Sequence, residues 1–446
     1  MAWTEATGRT SRVLLLLALS LLALPRCVGA QGGEGFVTFQ FSFSNPGARS
    51  LGLGGAFVAL ADDATAAFAN PAGLVQLIVP EVSLEGRFWS YSTAYTQGGR
   101  IDGQPTGFGI DTEAGLRFAR SEQDVSGVSF LSLVYPRGRW SFALYRHQLA
   151  NFEFASETNG LFRETRPPDP PDLTIRSLDV RAATDFEVLG WGAAGAYRVS
   201  DALSLGLGLT YYDGDVSSEL GTYLFDSFEL FFAANSYLPQ SLVATIRWSI
   251  DDADLGLTGG FLWRISERWR AGGFYRVGPR FRLIGTASRG PAWPLIFDEE
   301  SEPEGDSTPI RLPDVYGAGV AYRSADGAFA LSLEWDRIEY STIIDSLEIE
   351  ADAVIEDGDE LHLGGEYVFV RTIPLVALRA GVWLDPDHRT ASTSGERVDR
   401  ALFRPGDGEV HWSFGLGLSF ARFQLDLAAD LSDAVDTVSL STIYRF

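Results

Sequence analysis

The side chains best suited to contact a ligand in this chain are aromatic, and they crowd into a connection that water would be expected to keep polar. Residues 221–251 hold Tyr223, Leu224, Phe225, Phe228, Leu230, Phe231, Phe232, Tyr237, Leu238, Leu242 and Val243. Phe225, Phe228, Phe231 and Phe232 fall at i, i+3, i+6 and i+7, so a helix would carry all four on one face. The next long connection adds Trp293-Pro294-Leu295-Ile296-Phe297. The chemistry such groups offer is desolvation of an apolar ligand, each aromatic contributing about 1.5–3 kcal/mol when covered. Two readings stand: a capture groove made of Phe225, Phe228, Phe231, Phe232, Trp293 and Phe297, or a loop helix packing its apolar face on neighbouring structure.

Reactive groups are sparse by comparison. The four histidines, His147, His362, His388 and His411, are scattered without metal-ligand spacing, and no motif supports a Ser-His-Asp hydrolase. No catalytic residue, metal or cofactor is expected, and the chain reads as a non-enzyme. It has no Lys and a formal net charge of -24 over 446 residues, which excludes a nucleic-acid partner. A ligand carboxylate would have to pair with Arg or backbone N–H groups. Arg146, Arg264 and Arg445 lie in strand-like segments, and each can equally pair with neighbouring acids. Two acidic runs, residues 298–306 and 345–360, read as solvated faces or as sites where divalent cations bridge to surface lipid.

The rest of the chain must position these groups, and most of it reads in period two. Phe423, Leu425, Leu427 and Ala429 alternate with Gln424, Asp426, Ala428 and Asp430. The same holds for Val438, Leu440, Thr442, Tyr444 and Phe446, and for Phe329, Leu331, Leu333 and Trp335. Short polar connections, such as Pro136-Arg137-Gly138-Arg139 and Ser266-Glu267-Arg268, alternate with long ones at residues 98–124, 157–184, 221–251, 288–310, 342–358 and 387–409. The strands between them are about 14: residues 81–97, 123–135, 140–156, 185–199, 202–220, 253–265, 269–287, 311–323, 328–341, 359–370, 374–385, 410–420, 423–431 and 437–446. An even number of alternating strands predicts an all-β transmembrane antiparallel barrel, closed because an open edge in lipid would strand backbone groups.

The segment before the strands differs. Residues 1–30 read as a signal peptide, with Arg9 and Arg12 before an apolar run and Val28-Gly29-Ala30 at the cleavage site. Cys27, the single cysteine, leaves a lipoprotein anchor as an alternative. Residues 31–79 are rich in Gly and Ala and predict a hatch packed inside the lumen; residues 80–446 form the barrel. Asp62 or Asp63 can cap a short helix that Pro71 ends near Asn70. The Asn70-Pro71-Ala72-Gly73 turn either seats the hatch against the wall or only terminates that helix.

Leu53-Gly54-Gly55-Ala56-Phe57-Val58-Ala59-Leu60-Ala61-Asp62-Asp63-Ala64 followed by Asn70-Pro71-Ala72-Gly73-Leu74 resembles the hatch of the FadL/TodX type of outer-membrane long-chain fatty acid and hydrocarbon transporters. Similarity continues through Leu312-Pro313-Asp314, residues 317–323, residues 378–383, Asp426-Leu427-Ala428 and Tyr444-Arg445-Phe446. The terminal Phe446 resembles the signal by which the barrel-assembly machinery recognises its clients. The resemblance implies a 14-stranded barrel in the bacterial outer membrane, plugged by the hatch. It implies capture of a hydrophobic molecule in an apolar outer groove, passage to a lumen pocket, and sideways exit into outer-membrane lipid beside a kinked strand, here the third. The implied function is passive uptake of long-chain fatty acids or similar hydrophobic compounds. The alternative is a barrel partner or scaffold in protein secretion or surface attachment; a general aqueous pore is disfavoured because the hatch would block it.

Overall fold

Alternation in the sequence becomes fourteen antiparallel strands that close on themselves. The structure, a computed structural model, describes residues 43–165, 173–297, 307–347, 353–395, 397–404 and 406–446. The signal-peptide segment, Cys27, residues 31–42 of the expected hatch, the acidic run at residues 298–306 and residues 348–352 of the second run lie outside the described residues.

The strands are β1 (Glu81–Arg100), β2 (Leu116–Arg137), β3 (Trp140–Thr158), β4 (Asp179–Arg198), β5 (Leu203–Tyr223) and β6 (Leu242–Arg264). Strand β7 runs as Trp269–Arg276 and Arg280–Arg289, and β8 as Ser307–Arg311 and Val315–Arg323. The last six are β9 (Phe329–Ile338), β10 (Gly358–Phe369), β11 (Leu375–Asp385), β12 (Glu409–Ser419), β13 (Phe423–Leu431) and β14 (Val435–Arg445). Strand β1 pairs with β14 from Glu81↔Arg445 to Tyr91↔Val435, so the sheet has no free lateral edge at its ends. Several strands reach further into the long connections than their alternation predicts: β2 begins at Leu116, β4 at Asp179 and β6 at Leu242.

Strands β7 and β8 are interrupted side by side. Pro279 and Pro313 supply no ladder N–H there. Asp314 repairs the loss by accepting bonds from Gly278 N (2.9 Å), Tyr275 Oη (2.5 Å) and Arg311 (2.6 Å), while Leu312 N donates to Pro279 O.

The two faces separate by chemistry. Leu205, Leu207, Leu209, Leu331, Leu333, Trp335, Trp412, Phe414, Leu427 and Leu440 are exposed on the outside, the apolar band of a membrane barrel. Tyr444 and Phe446 are exposed, whereas Arg445 turns to Glu81 (2.9 Å) and Gln424 (3.0 Å). Residues from Phe43 onward fold inside the lumen as the hatch. It contains α1 (Ala48–Leu51), α2 (Ala66–Ala69) and a 3-10 turn (Pro71–Gln76), all largely buried. Asp63 accepts bonds from Thr65 N (2.9 Å) and Oγ1 (2.5 Å) just ahead of α2, and α2 stops at Asn70, whose backbone is extended. Glycines on the inner wall make room for hatch backbone: a Cβ on Gly206 would lie 2.2 Å from Ala72 N, and one on Gly364 would lie 2.2 Å from Leu53 O.

Candidate functional site

The predicted aromatic residues meet in the outer loops, but not on one helix. Of the four phenylalanines only Phe228 lies in a helical turn, the single 3-10 turn Phe228–Leu230. Phe225 and Phe231 are buried with ring centroids 5.2 Å apart, and Phe162, from a small hairpin after β3, closes over Phe231 and Phe232. Phe228 points outward, 60% exposed. The correction has a local cause. The buried Arg176 donates to the carbonyls of Phe231 (2.5 Å) and Ala233 (2.6 Å), acceptors that a continuing helix would need. Asp226 and Asn235 bind backbone in the same loop (Ser236 N to Asp226, Asn235 Nδ2 to Leu224 O), the competition that disfavours helix.

Trp293 and Phe297 meet at a tilt with ring centroids 4.3 Å apart in an adjoining cluster with Val243, Ala292 and Leu178; Leu224 packs against both clusters. The outermost apolar side chains are Phe108, Phe228, Leu230 and Leu295, all exposed. Beneath them Arg176 pairs with Asp179 (2.5 Å), and Arg100 with Asp111 (2.8 Å). Sequence reading missed both pairs, since nothing in the spacing distinguishes these arginines from the rest.

The hatch is seated by Asn70. Its side chain is fully buried, donates to Val58 O (3.0 Å) and to Phe261 O of β6 (3.0 Å), and accepts from Ala72 N (3.2 Å). The amide therefore joins hatch to hatch and hatch to wall. On the opposite side Glu334 accepts from Phe57 N (2.6 Å) and Val58 N (2.7 Å). Arg49 pairs with Asp62 (2.6 Å) and Glu366 (3.0 Å), and Arg323 with Asp62 (2.7 Å). Burial alone would raise the Asp62 pKa, but Arg49 and Arg323 hold it well below the usual carboxylate range; burial pushes Asp63 up despite Arg49.

The wall is weakest between β2 and β3. Their ladder runs from Arg137↔Trp140 only to Phe130↔His147, and among the described residues it does not resume above that point. Leu149 is bulged out of the β3–β4 register between Gln148 and Ala150. Beyond it β3 leans towards β1: Tyr91 Oη donates to Asn151 O (2.9 Å) and Thr158 Oγ1 to Thr96 O (2.7 Å). The hatch residue Phe68 faces this level, its ring 3.9 Å from His147 and 3.7 Å from the Arg276 guanidinium. On the outer face a groove of 610 Å³ lies below the break, lined by Leu131, Leu133, Leu144, Trp191 and Leu209.

A lumen cavity of 180 Å³ sits beside the hatch, lined by Tyr91 and Trp383 and by many acids, with Arg120 and Arg389 as its arginines. Three of the four scattered histidines, His362, His388 and His411, meet there. Asp336, Glu360 and His362 bring one ligand atom each within 4.8 Å of one another. The arginines singled out in strands are engaged: Arg445 with Glu81, Arg264 with Asp201 O, and Arg146 with Val128 O.

A family model described as outer membrane protein transport protein (OMPP1/FadL/TodX) matches residues 174–406, more than half of the 446 residues. A Pseudomonas aeruginosa FadL homologue is similar over 92% of this chain and 99% of its own, with TM-score 0.63 and 16% identity. The Ralstonia pickettii toluene transporter TbuX aligns over 91% and 99%, with TM-score 0.54 and 16% identity. The P. putida toluene transporter TodX aligns over 91% and 99%, with TM-score 0.54 and 13% identity. At these identities the structural likeness is one of fold. A search of curated proteins finds no match.

Proposed function

We propose, from the premise that this chain belongs to the OMPP1/FadL/TodX family of outer-membrane transporters of hydrophobic compounds, that it takes up long-chain fatty acids or similar hydrophobic molecules passively and releases them sideways past its hatch. The observation that carries this reading is the end of the β2–β3 ladder at Phe130↔His147, opposite Phe68 of the hatch. Unpaired strand edges are costly in lipid, so a wall that keeps one next to a small movable plug has a use for it. Capture starts on the exposed Phe108, Phe228, Leu230 and Leu295, whose apolar surface would otherwise face water. The buried Phe225, Phe231, Trp293 and Phe297 shape the floor beneath them.

Charge narrows the ligand class. The lumen cavity presents Asp336, Glu360, Asp385, Asp387, Asp407, Glu409 and Asp430 against Arg120, Arg389 and the protonated His388. A bare carboxylate is repelled there, so uncharged ligands, hydrocarbons or protonated acids, pass more readily than anions.

The test is uptake by cells whose outer membrane contains this barrel, with a radiolabelled long-chain fatty acid and a labelled alkane or monoaromatic compared. Native mass spectrometry in gentle detergent accompanies it. Uptake above the barrel-free control, with the hydrocarbon favoured, supports the reading. No uptake of either class, with a stoichiometric protein partner retained, replaces it with the scaffold alternative.

A further inference from the structure

Among the lumen acids, Asp336 and Glu360 share a single histidine as their ion-pair neighbour. Several other carboxylates inside the barrel meet guanidinium groups: Glu366 has Arg49 and Arg379, Asp426 has Arg379, and Glu85 has Arg87. Among the described residues no arginine pairs with Asp336 of β9 or Glu360 of β10; their ion-pair neighbour is His362, whose Nε2 lies 3.1 Å from Glu360 Oε2 and 3.7 Å from Asp336 Oδ2. The sheet register makes this juxtaposition. Asp336 stands directly opposite Glu360, and Glu334 opposite His362, all on the inner face. Asp336 is 7% exposed and Glu360 9%. The Asp336 Oδ1 is buried and has no hydrogen-bond partner among the described residues.

The imidazole is also prepared. His362 Nδ1 lies 2.7 Å from the carbonyl oxygen of Gly54 in the hatch. A carbonyl only accepts, so Nδ1 carries the proton, and in the neutral ring Nε2 turns its lone pair towards the two carboxylates. Metal-ligating histidines are oriented in this way by a backbone carbonyl. Donors about 2.0–2.2 Å from a shared ion, at 90–120° to each other, stand roughly 2.8–3.8 Å apart. The two nitrogen–oxygen separations already lie in that range.

We propose that Asp336, Glu360 and His362 bind one divalent transition-metal ion of the zinc class in the lumen. One imidazole nitrogen with two carboxylate oxygens suits such an ion better than calcium or magnesium, which favour all-oxygen sets. An ion on Nε2 holds the ring in the tautomer that donates to Gly54 O, so occupancy ties the hatch to the wall at β10.

The experiment uses the full barrel extracted in mild detergent, stripped with EDTA, desalted, and titrated with Zn²⁺ by calorimetry. X-ray absorption spectroscopy is then recorded at the zinc edge. The proposal expects one ion per chain, imidazole outer-shell scattering, and affinity at least about tenfold weaker in both Asp336→Asn and His362→Gln. Glu219→Gln, an exposed pair partner of Arg247 on the outer end of β5, should bind as wild type. Should His362→Gln fail to fold, Asp336→Asn and the wild-type spectrum still decide. No zinc uptake by wild type would make the cluster an imidazolium ion pair; uptake without imidazole scattering, or equal in all variants, would place the metal on surface carboxylates. Either overturns the proposal.

Discussion

Replacing Asn70 by Ala removes three hydrogen bonds at once: to Val58 O, to Phe261 O of the wall, and from Ala72 N. Net bonds of this kind contribute roughly 0.5–1.5 kcal/mol each, and the buried partners left behind add a desolvation cost. The expected loss is therefore about 2–4 kcal/mol, and it falls on hatch docking, because only one of the three bonds touches the barrel and that strand keeps its ladder. A loss of that size raises local opening by roughly 30-fold to 1000-fold. Hydrogen exchange of the amides around Val58 and Ala72 is the direct assay, on protein shown by heat-modifiability to be a closed barrel. Exchange should speed up by at least about 30-fold there and stay unchanged in β12 and β13. Uptake of the hydrophobic ligand should fall, since a hatch that is no longer registered against the wall presents no defined route past Phe68. Unchanged exchange and wild-type uptake would refute the reasoning and reduce the Asn-Pro turn to a helix stop.

The wall side of the same contact gives a second test. A Cβ at Gly260 would stand 2.3 Å from Asn70 Oδ1, so Gly260→Ala should loosen the hatch as Asn70→Ala does, while Gly365→Ala, whose Cβ meets nothing closer than 3.9 Å, should be silent in the same exchange assay. In the outer loops, Phe228→Ser should lower ligand uptake and leave folding intact, because Phe228 is exposed. Phe231→Ser should cost about 3 kcal/mol of loop order, read as faster proteolysis between β5 and β6. Deleting Phe446 should reduce insertion into the outer membrane in a fractionation assay without changing expression. Burial works against the charge on His388, but Asp385 outweighs it and lifts the pKa to about 9. The stabilisation this charge gives the loop after β11 is fully present below the ordinary value of about 6.5 and lost as pH rises through 9. Side-chain NMR should find the ring still protonated at pH 7.5, and a midpoint near 6.5 would contradict it.

Strand number, closure and the hatch were legible because each rests on local pattern. Alternation marks a two-faced strand wherever one face meets lipid, as in Leu331, Leu333 and Trp335. The small residues around Gly54 and Asn70 mark backbone packed against backbone. What stayed hidden depends on register or on long-range contacts. Asp336 and Glu360 are 24 positions apart in the chain, and only the β9–β10 pairing sets them face to face. The break between β2 and β3 lies next to the bulge at Leu149, and a single bulged residue among His147, Gln148, Ala150 and Asn151 is not marked by the alternation. The four phenylalanines misled through their spacing. A 3.6-residue template recognises a helical face without seeing that Arg176 takes the carbonyls of Phe231 and Ala233.

The tethers on the hatch are unevenly distributed. Towards β8–β10 the hatch is held by charge: Arg49 on Glu366, Asp62 under Arg323, and Phe57 N and Val58 N on Glu334. Its far end is pinned by Asn70 on Phe261 O and by the arginines of β4 and β7 on Val75 O, Gln76 and Phe68 O. Between these anchors, residues 64–67 and the Phe68 ring face β2 and β3 through ring contacts of Phe68 and one long bond from Ser132 Oγ to Ala64 O (3.3 Å). Aromatic contacts exchange readily for contacts with an apolar ligand, whereas buried ion pairs do not. On the proposed sideways route, a molecule arriving from the lumen would need to displace only the Phe68 ring at the open edge of β2, with the anchored backbone of the hatch left in place.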